Sequence, residues 1–94
     1  WKWSLATDFN PNCRSLSIPF VGSLAVHRMR IPPIAALIAV TSNAASTLNV
    51  KYGVGKIVEG GVADLNILRT KSADGWCLMP GDNPVKNSYH HAQM

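Results

Sequence analysis

TLNVKYGVGKI, residues 47–57, is the segment in which apolar and polar residues alternate most regularly. Leu48, Val50, Tyr52 and Val54 take every second position, as expected for the buried face of a pleated strand whose other face meets water. The segment therefore predicts a half-buried β-strand.

A pair of glycines follows this strand. Gly60 and Gly61 separate residues 56–59 from residues 62–67, and glycines that tolerate positive φ between two apolar runs predict a tight hairpin. The inward faces of these strands give the predicted core, which consists of Leu48, Val50, Tyr52, Val54, Ile57, Leu65 and Ile67.

Further strands are predicted upstream. Residues 15–18 alternate before Pro19, and residues 24–31 fit another strand with Leu24 and Val26 on one side. Residues 34–43 suit a helix that begins after two prolines or a buried strand, and we favour the strand. The whole pattern predicts an all-β protein, an antiparallel sandwich or partial jelly roll with extended N- and C-terminal segments.

Length and composition allow one core. The chain has 94 residues, of which 47% are apolar and 15% charged, against about 25% charged in an average protein. We expect a single β-rich domain or domain fragment over residues 1–94, with its core at about 15–79 and a polar tail at 80–94. A surface so poor in charge predicts burial against other subunits of an assembly. The start at Trp1 fits a processed product or a fragment.

The net charge is +4, which favours anionic partners. The basic residues are scattered, and the densest group is His27, Arg28 and Arg30. This pattern supports at most a weak contact of these three residues with RNA phosphates.

Three tryptophans are the large aromatic anchors of the chain. Trp1, Trp3 and Trp76 suit a core or a protein interface equally well, because tryptophan is enriched at interface hot spots. We take them as candidate interface residues.

The two cysteines, Cys13 and Cys77, lie far apart and form no CxxC motif. Neither a zinc site nor another metal site is indicated, and a disulfide is possible although free thiols are favoured. The longest apolar stretch, residues 34–40, is far below the roughly 20 residues of a membrane-crossing helix.

Motifs for catalysis are weak. Residues 53–56, GVGK, lack the distant glycine and the following Ser or Thr of a phosphate-binding loop. A serine with His27 and either Asp8 or Asp64 would supply triad residue types, but no local signature supports them. Residues 8–12 have the composition of a turn instead. The sequence therefore predicts no enzyme, no catalytic residues, no cofactor and no small-molecule substrate.

SIPFVGS at 17–23 and STLNVKY at 46–52 together resemble the C-terminal half of a picorna-like virus capsid jelly roll. The resemblance implies a virion structural protein cut from a polyprotein and located in the viral shell. Two alternatives stay open: a secreted binding module with a Cys13–Cys77 bridge, and a small basic RNA-contacting protein of a ribonucleoprotein.

Overall fold

The computed structural model describes residues 2–49 and 52–90. It is a small mixed α/β structure, so the prediction of an all-β sandwich or jelly roll is wrong. In chain order the elements are α1 (Ile18–Met29), α2 (Pro33–Val40), α3 (Ser42–Ser46), β1 (Leu65–Leu68) and β2 (Val85–Tyr89).

Helix α1 covers most of residues 24–31, which were predicted as a strand, and it begins at the last residue of the predicted strand at 15–18. Both strand predictions are wrong. Ser17 caps its N-terminus, because the Ser17 hydroxyl accepts a hydrogen bond from the Phe20 amide at 3.2 Å. Pro19 lies in the first turn, where the missing N–H has no helical partner to lose. The helix ends at Arg30, which takes the left-handed conformation with φ 58°.

Helix α2 contradicts the preference for a strand at residues 34–43. Pro33 begins the helix with its φ already fixed, and the alanines that follow are strong helix formers. At the far end the Thr41 hydroxyl donates to the carbonyl of Leu37 at 2.7 Å. A periodicity argument cannot separate helix from strand over so short an apolar run, and here helix propensity decides it.

The segment at 47–57 forms no strand in its described part. Gly53 and Gly55 have φ values of 82° and 83°, which turn the backbone out of an extended path. The apolar residues of this segment do not form the predicted core, because Tyr52 is 71% exposed and Ile57 is 89% exposed. Of the other predicted core residues, Val54 is half-buried, Val50 lies outside the described residues, and the exposed ones are Leu48, Leu65 and Ile67.

The two strands pair with each other as an antiparallel ribbon. Leu65 lies opposite Tyr89, and a bulge interrupts the register after Ile67. The predicted turn at Gly60 exists, with the Gly61 amide donating to the Val58 carbonyl at 3.1 Å. The predicted hairpin is nevertheless wrong, because residues 65–68 pair with 85–89 and not with residues 56–59.

The core lies between the helices and the segment that joins the strands. The small residues of α1, Gly22, Ser23 and Ala25, are buried against Trp76 and Cys77. Ala36 of α2 completes this cluster, and Leu68 of β1 packs against it. The strand ribbon is thereby attached to the helices through a core of small side chains around one indole.

Candidate functional site

A tight turn near the N-terminal end of the chain is held by a set of polar contacts outside the helices. We call residues 7–13 the Asp8 turn. Asn10 and Cys13 exchange two backbone hydrogen bonds, at 2.9 and 3.0 Å, with Pro11 and Asn12 between them. Proline at the second position of such a turn supplies the required φ without strain.

The Asn10 side chain holds this turn together. Its Oδ1 accepts hydrogen bonds from the amides of Asn12 and Cys13 at 2.8 and 3.2 Å, and its Nδ2 donates to the carbonyl of Asp8. The Cys13 thiol donates to the carbonyl of Thr7 at 3.7 Å. Both peptide groups that flank Asp8 are therefore fixed by the turn.

Asp8 itself has φ 53°, in the left-handed region. Among the described residues, Asp8 and Arg30 are the non-glycine residues with positive φ. Arg30 ends α1, where this conformation is common, but Asp8 ends no helix. Backbone strain of this kind concentrates at functional sites, and Asp8 presents an exposed carboxylate there.

The residues predicted to contact RNA lie together at the end of α1. His27 and Arg28 occupy the last turn and Arg30 caps it, all three exposed. The His27 ring has Nε2 at 3.0 Å from the carbonyl of Leu78. Their assignment as nucleic-acid contacts stays a prediction.

The three tryptophans do not form one surface. Trp76 is 4% exposed in the core, and its Nε1 donates to the carbonyl of Pro33 at 3.4 Å. Trp3 is exposed, and its carbonyl accepts a hydrogen bond from the Asn43 side chain at 3.0 Å. Trp1 lies outside the described residues. Their assignment as interface residues stays a prediction.

Both cysteines are free, Cys13 at the surface and Cys77 in the core. Burial raises the pKa of the Cys77 thiol, and the negative charge of Asp74 raises it further. Such a thiol is a poor nucleophile because its thiolate form is disfavoured.

The same described residues offer little support for other types of site. Residues 2–49 and 52–90 hold no group of three or more metal-ligating side chains. None of the described helices is long and apolar enough to span a bilayer. A shallow cleft of about 220 Å³ lies beside α3, with Ser42, Tyr52 and Lys56 among its lining, and it contains no residue of the Asp8 turn.

Sequence reasoning recognised residues 8–12 as a turn but did not recognise Asp8 as a site. The available signal was an aspartate two residues before Asn10-Pro11, because aspartate tolerates the left-handed region and asparagine side chains fix turns. The missing information was the φ of Asp8, which only the structure shows.

The comparisons with known proteins give one consistent result. The chain is 45% identical to the imidazolonepropionase of Haloarcula marismortui over 69 residues, and this alignment covers 73% of the chain. It is 36% identical over 89 residues to that of Salinispora tropica and 33% identical over 92 residues to that of Streptococcus pyogenes. The chain resembles imidazolonepropionases. No family model matches it.

These matches cover only part of each relative. The chain spans 16% to 22% of the length of the imidazolonepropionases it matches, so it corresponds to about a fifth of such an enzyme. The similarity extends over most of this chain, with 94% and 97% covered in the matches to Salinispora tropica and Streptococcus pyogenes.

The similarity overturns several predictions. The relatives are cellular enzymes, so the resemblance to a virus capsid protein and the location in a virion are wrong. The predictions of a non-enzymatic assembly subunit, a binding module or an RNA-contacting protein are wrong for the same reason. The expectation of subunit partners without a small-molecule substrate also fails, since imidazolonepropionases act on a small molecule. Short degenerate motifs such as residues 17–23 carried the capsid resemblance, and in this structure those residues begin a helix.

Proposed function

We propose that this chain is part of a longer hydrolase of the imidazolonepropionase type, acting on an imidazolone that carries a propionate group. The observation that carries the proposal is the 33% to 45% identity to such enzymes over 73% to 97% of the chain. The substrate class comes from the name that these relatives share.

The surface of the chain supports its place in a larger polypeptide. Its accessible surface is 7333 Å², whereas a self-contained protein of this mass exposes about 5300 Å². Large apolar side chains account for part of the difference, and those more than half exposed include Leu16, Met29, Ile34, Ile57 and Met79. Further parts of the polypeptide would cover such surface, as the length of the relatives implies.

Within this enzyme we assign Asp8 to proton transfer. Hydrolysis of an imidazolone adds water across a ring C–N bond, so a base must take a proton from water and an acid must return one to the departing nitrogen. One carboxyl group can serve both steps, first as a carboxylate base and then as the carboxylic acid that has taken up the proton. Asp8 is the carboxylate that a specialised backbone conformation presents to solvent.

The test is hydrolysis by the full-length polypeptide that contains this chain. We expect it to convert an imidazolone propionate into a product heavier by one water, as mass spectrometry would show. Asp8→Asn should lower kcat about 10²- to 10⁴-fold. Asp82→Asn, at an exposed turn carboxylate, is the matched control and should leave kcat unchanged. Absence of turnover in the unmodified polypeptide would refute the proposed function.

A further inference from the structure

The connection from β1 to β2 contains Asp74 followed by Gly75, directly before Trp76 and Cys77 of the buried core. Asp74 is the aspartate of the chain that precedes a glycine. Such a pair is the most reactive aspartyl sequence, because no side chain on the second residue shields its nitrogen from the aspartate carboxyl group. The reaction is a cyclisation in which that nitrogen attacks the carboxyl carbon, and its rate depends on how the structure holds the two residues.

The structure requires glycine at position 75 for space. The φ of Gly75 is not positive, so backbone conformation does not demand glycine there. A Cβ at this position would lie 2.6 Å from Cβ of Thr70 and would overlap the Thr70 hydroxyl. That hydroxyl donates to the Ser72 carbonyl at 3.0 Å and accepts from the Ser72 amide at 3.3 Å, so it is held in place. The fold therefore retains a reactive sequence because a larger residue does not fit.

The same turn protects the two residues while the chain is folded. The Gly75 amide donates to the carbonyl of Ser72 at 3.2 Å, and cyclisation needs this nitrogen to lose its proton and approach Cγ of Asp74. The amide and the thiol of Cys77 both donate to the carbonyl of Asp74, at 3.4 and 3.6 Å, and restrain it further. Cyclisation therefore requires this turn to open, which is a local unfolding event.

We propose that Asp74 and Gly75 form a site of spontaneous covalent modification, at which opening of the turn converts the aspartate into isoaspartate. The Gly75 nitrogen forms a bond to Cγ of Asp74, and one carboxyl oxygen leaves as water with the carboxyl proton and the amide proton. Water then adds to the succinimide ring and breaks one of its two C–N bonds. When the bond to the main-chain carbonyl carbon of Asp74 breaks, the chain continues through Cγ.

The product cannot restore the core. Isoaspartate adds one carbon to the main chain immediately before Trp76, whose indole is 4% exposed and bonded to the carbonyl of Pro33. It also converts the Asp74 carbonyl, which Cys77 binds, into a free carboxylate. Each opening that leads to reaction is therefore irreversible, and residue 74 limits the lifetime of the folded polypeptide.

The test follows residues 72–86 in the full-length polypeptide that contains this chain. Trypsin cleaves after Lys71 and Lys86 and releases one peptide that holds both Asp74 and Asp82. Electron-transfer fragmentation then locates isoaspartate after incubation at neutral pH. We expect it to accumulate at residue 74 and not at residue 82, the internal control, which precedes Asn83 and not a glycine. In urea that unfolds the polypeptide, the rate at residue 74 should rise at least about tenfold.

Two substitutions at Thr70 separate the effect of the turn from that of the sequence. Thr70→Ala removes the hydroxyl that bonds Ser72 and should raise the rate in the folded polypeptide about 2- to 10-fold, the effect of losing one ordinary hydrogen bond. Thr70→Ser keeps the hydroxyl and is the matched control, with a rate within twofold of the unmodified polypeptide. Asp74→Glu should abolish the modification, because its longer side chain cannot close a five-membered ring.

Three outcomes would overturn the inference. One is an equal rate at residue 74 in folded and unfolded polypeptide, and another is modification of residue 82 as fast as residue 74. The third is an equal rate in folded Thr70→Ala and Thr70→Ser. If Thr70→Ala fails to fold, the comparison of the unmodified polypeptide with and without urea decides. None of these results depends on catalytic activity, so they are independent of the proposed function.

Discussion

Gly22 of α1 lies against the indole of Trp76, so closely that a Cβ at position 22 would stand 2.6 Å from Cζ3 of that ring. It would also stand 3.0 Å from Cβ of Cys77. The ring cannot move aside easily, because it is 4% exposed and its Nε1 is bonded to the carbonyl of Pro33. This contact sets the distance between α1 and the segment that joins the strands.

Gly22→Ala is therefore expected to destabilise the chain. Alanine in a helix interior gains up to about 1 kcal/mol over glycine, whereas overpacking costs about 1–3 kcal/mol. The steric cost should prevail and leave a net loss of up to about 2 kcal/mol. Urea denaturation of the polypeptide that contains this chain measures it. In a Trp76→Phe background the same substitution should cost at least about 1 kcal/mol less, and an equal cost in both backgrounds would contradict the contact.

Ser17 is expected to stabilise α1 as its N-cap. Its hydroxyl accepts from the Phe20 amide at 3.2 Å, so Ser17→Ala should lower the free energy of unfolding by about 1 kcal/mol. Ser17→Asp should retain that stability, because aspartate also caps and the first turn of α1 has no acidic residue. Thermal denaturation, monitored by circular dichroism, compares the two variants. An equal loss of stability in both would exclude the cap.

Two glycine substitutions at the end of α1 should act in opposite directions. Arg30 has φ 58°, which glycine adopts freely, so Arg30→Gly should stabilise the chain by about 1 kcal/mol. Arg28 lies inside the last turn, so Arg28→Gly should destabilise it by a similar amount. Each substitution removes one positive charge, so the electrostatic effect is similar in both and drops out of the comparison. Chemical denaturation should show the opposite signs, and a common sign would mean that charge and not backbone conformation dominates.

Stability should fall at alkaline pH because of Cys77. Folding raises the pKa of this thiol above its ordinary value of 9.0, by burial and then by the charge of Asp74. Above that pH the unfolded chain releases the proton while the folded chain retains it, so the unfolded state binds fewer protons and stability decreases as pH rises. The slope from this group is at most about 1.4 kcal/mol per pH unit.

The measurement is a denaturation series above pH 8 with two variants. Cys77→Ala should remove this part of the alkaline slope, and Cys13→Ala should leave it unchanged because Cys13 is at the surface. A thiol reagent should label Cys13 rapidly and Cys77 only as fast as the chain opens. Equal labelling rates in the folded chain would contradict the burial of Cys77.

The parts of the fold that the sequence predicted are its turns. The compositions at 8–12 and at Gly60 gave turns that the structure confirms, since Asn10 pairs with Cys13 and Gly61 bonds to Val58. A turn depends on the side chain and φ preferences of two or three adjacent residues, so local reasoning captures it. Longer elements depend on distant partners, which local reasoning does not supply.

The helices show what local reasoning missed. Ser17 before Pro19 is an N-cap with a proline in the first turn, and residues 24–31 contain alternating apolar residues that also fit one helix face. The alternation at 47–57 suggested a strand, yet the glycines at 53 and 55 take positive φ. The pairing of β1 with residues 85–89 could not be predicted either, because a polar strand carries no hydrophobic signal.

The candidate site was missed for a different reason. The sequence presents Asp8 as a turn residue and as one of two carboxylates of a possible triad, and no neighbouring motif distinguishes it from Asp64. Its distinguishing property is conformational, a positive φ held by Asn10. A side-chain network of this kind leaves no periodicity in the sequence, so only coordinates reveal it.

Trp76 lies on the connection between β1 and β2, but its indole is held by α1 and α2. We therefore expect helices and strands to unfold together, although no hydrogen-bonded ladder joins them in the described chain. Amide hydrogens of α1 and of the ribbon should exchange with solvent at matching rates, and loosening the indole should release both sets together.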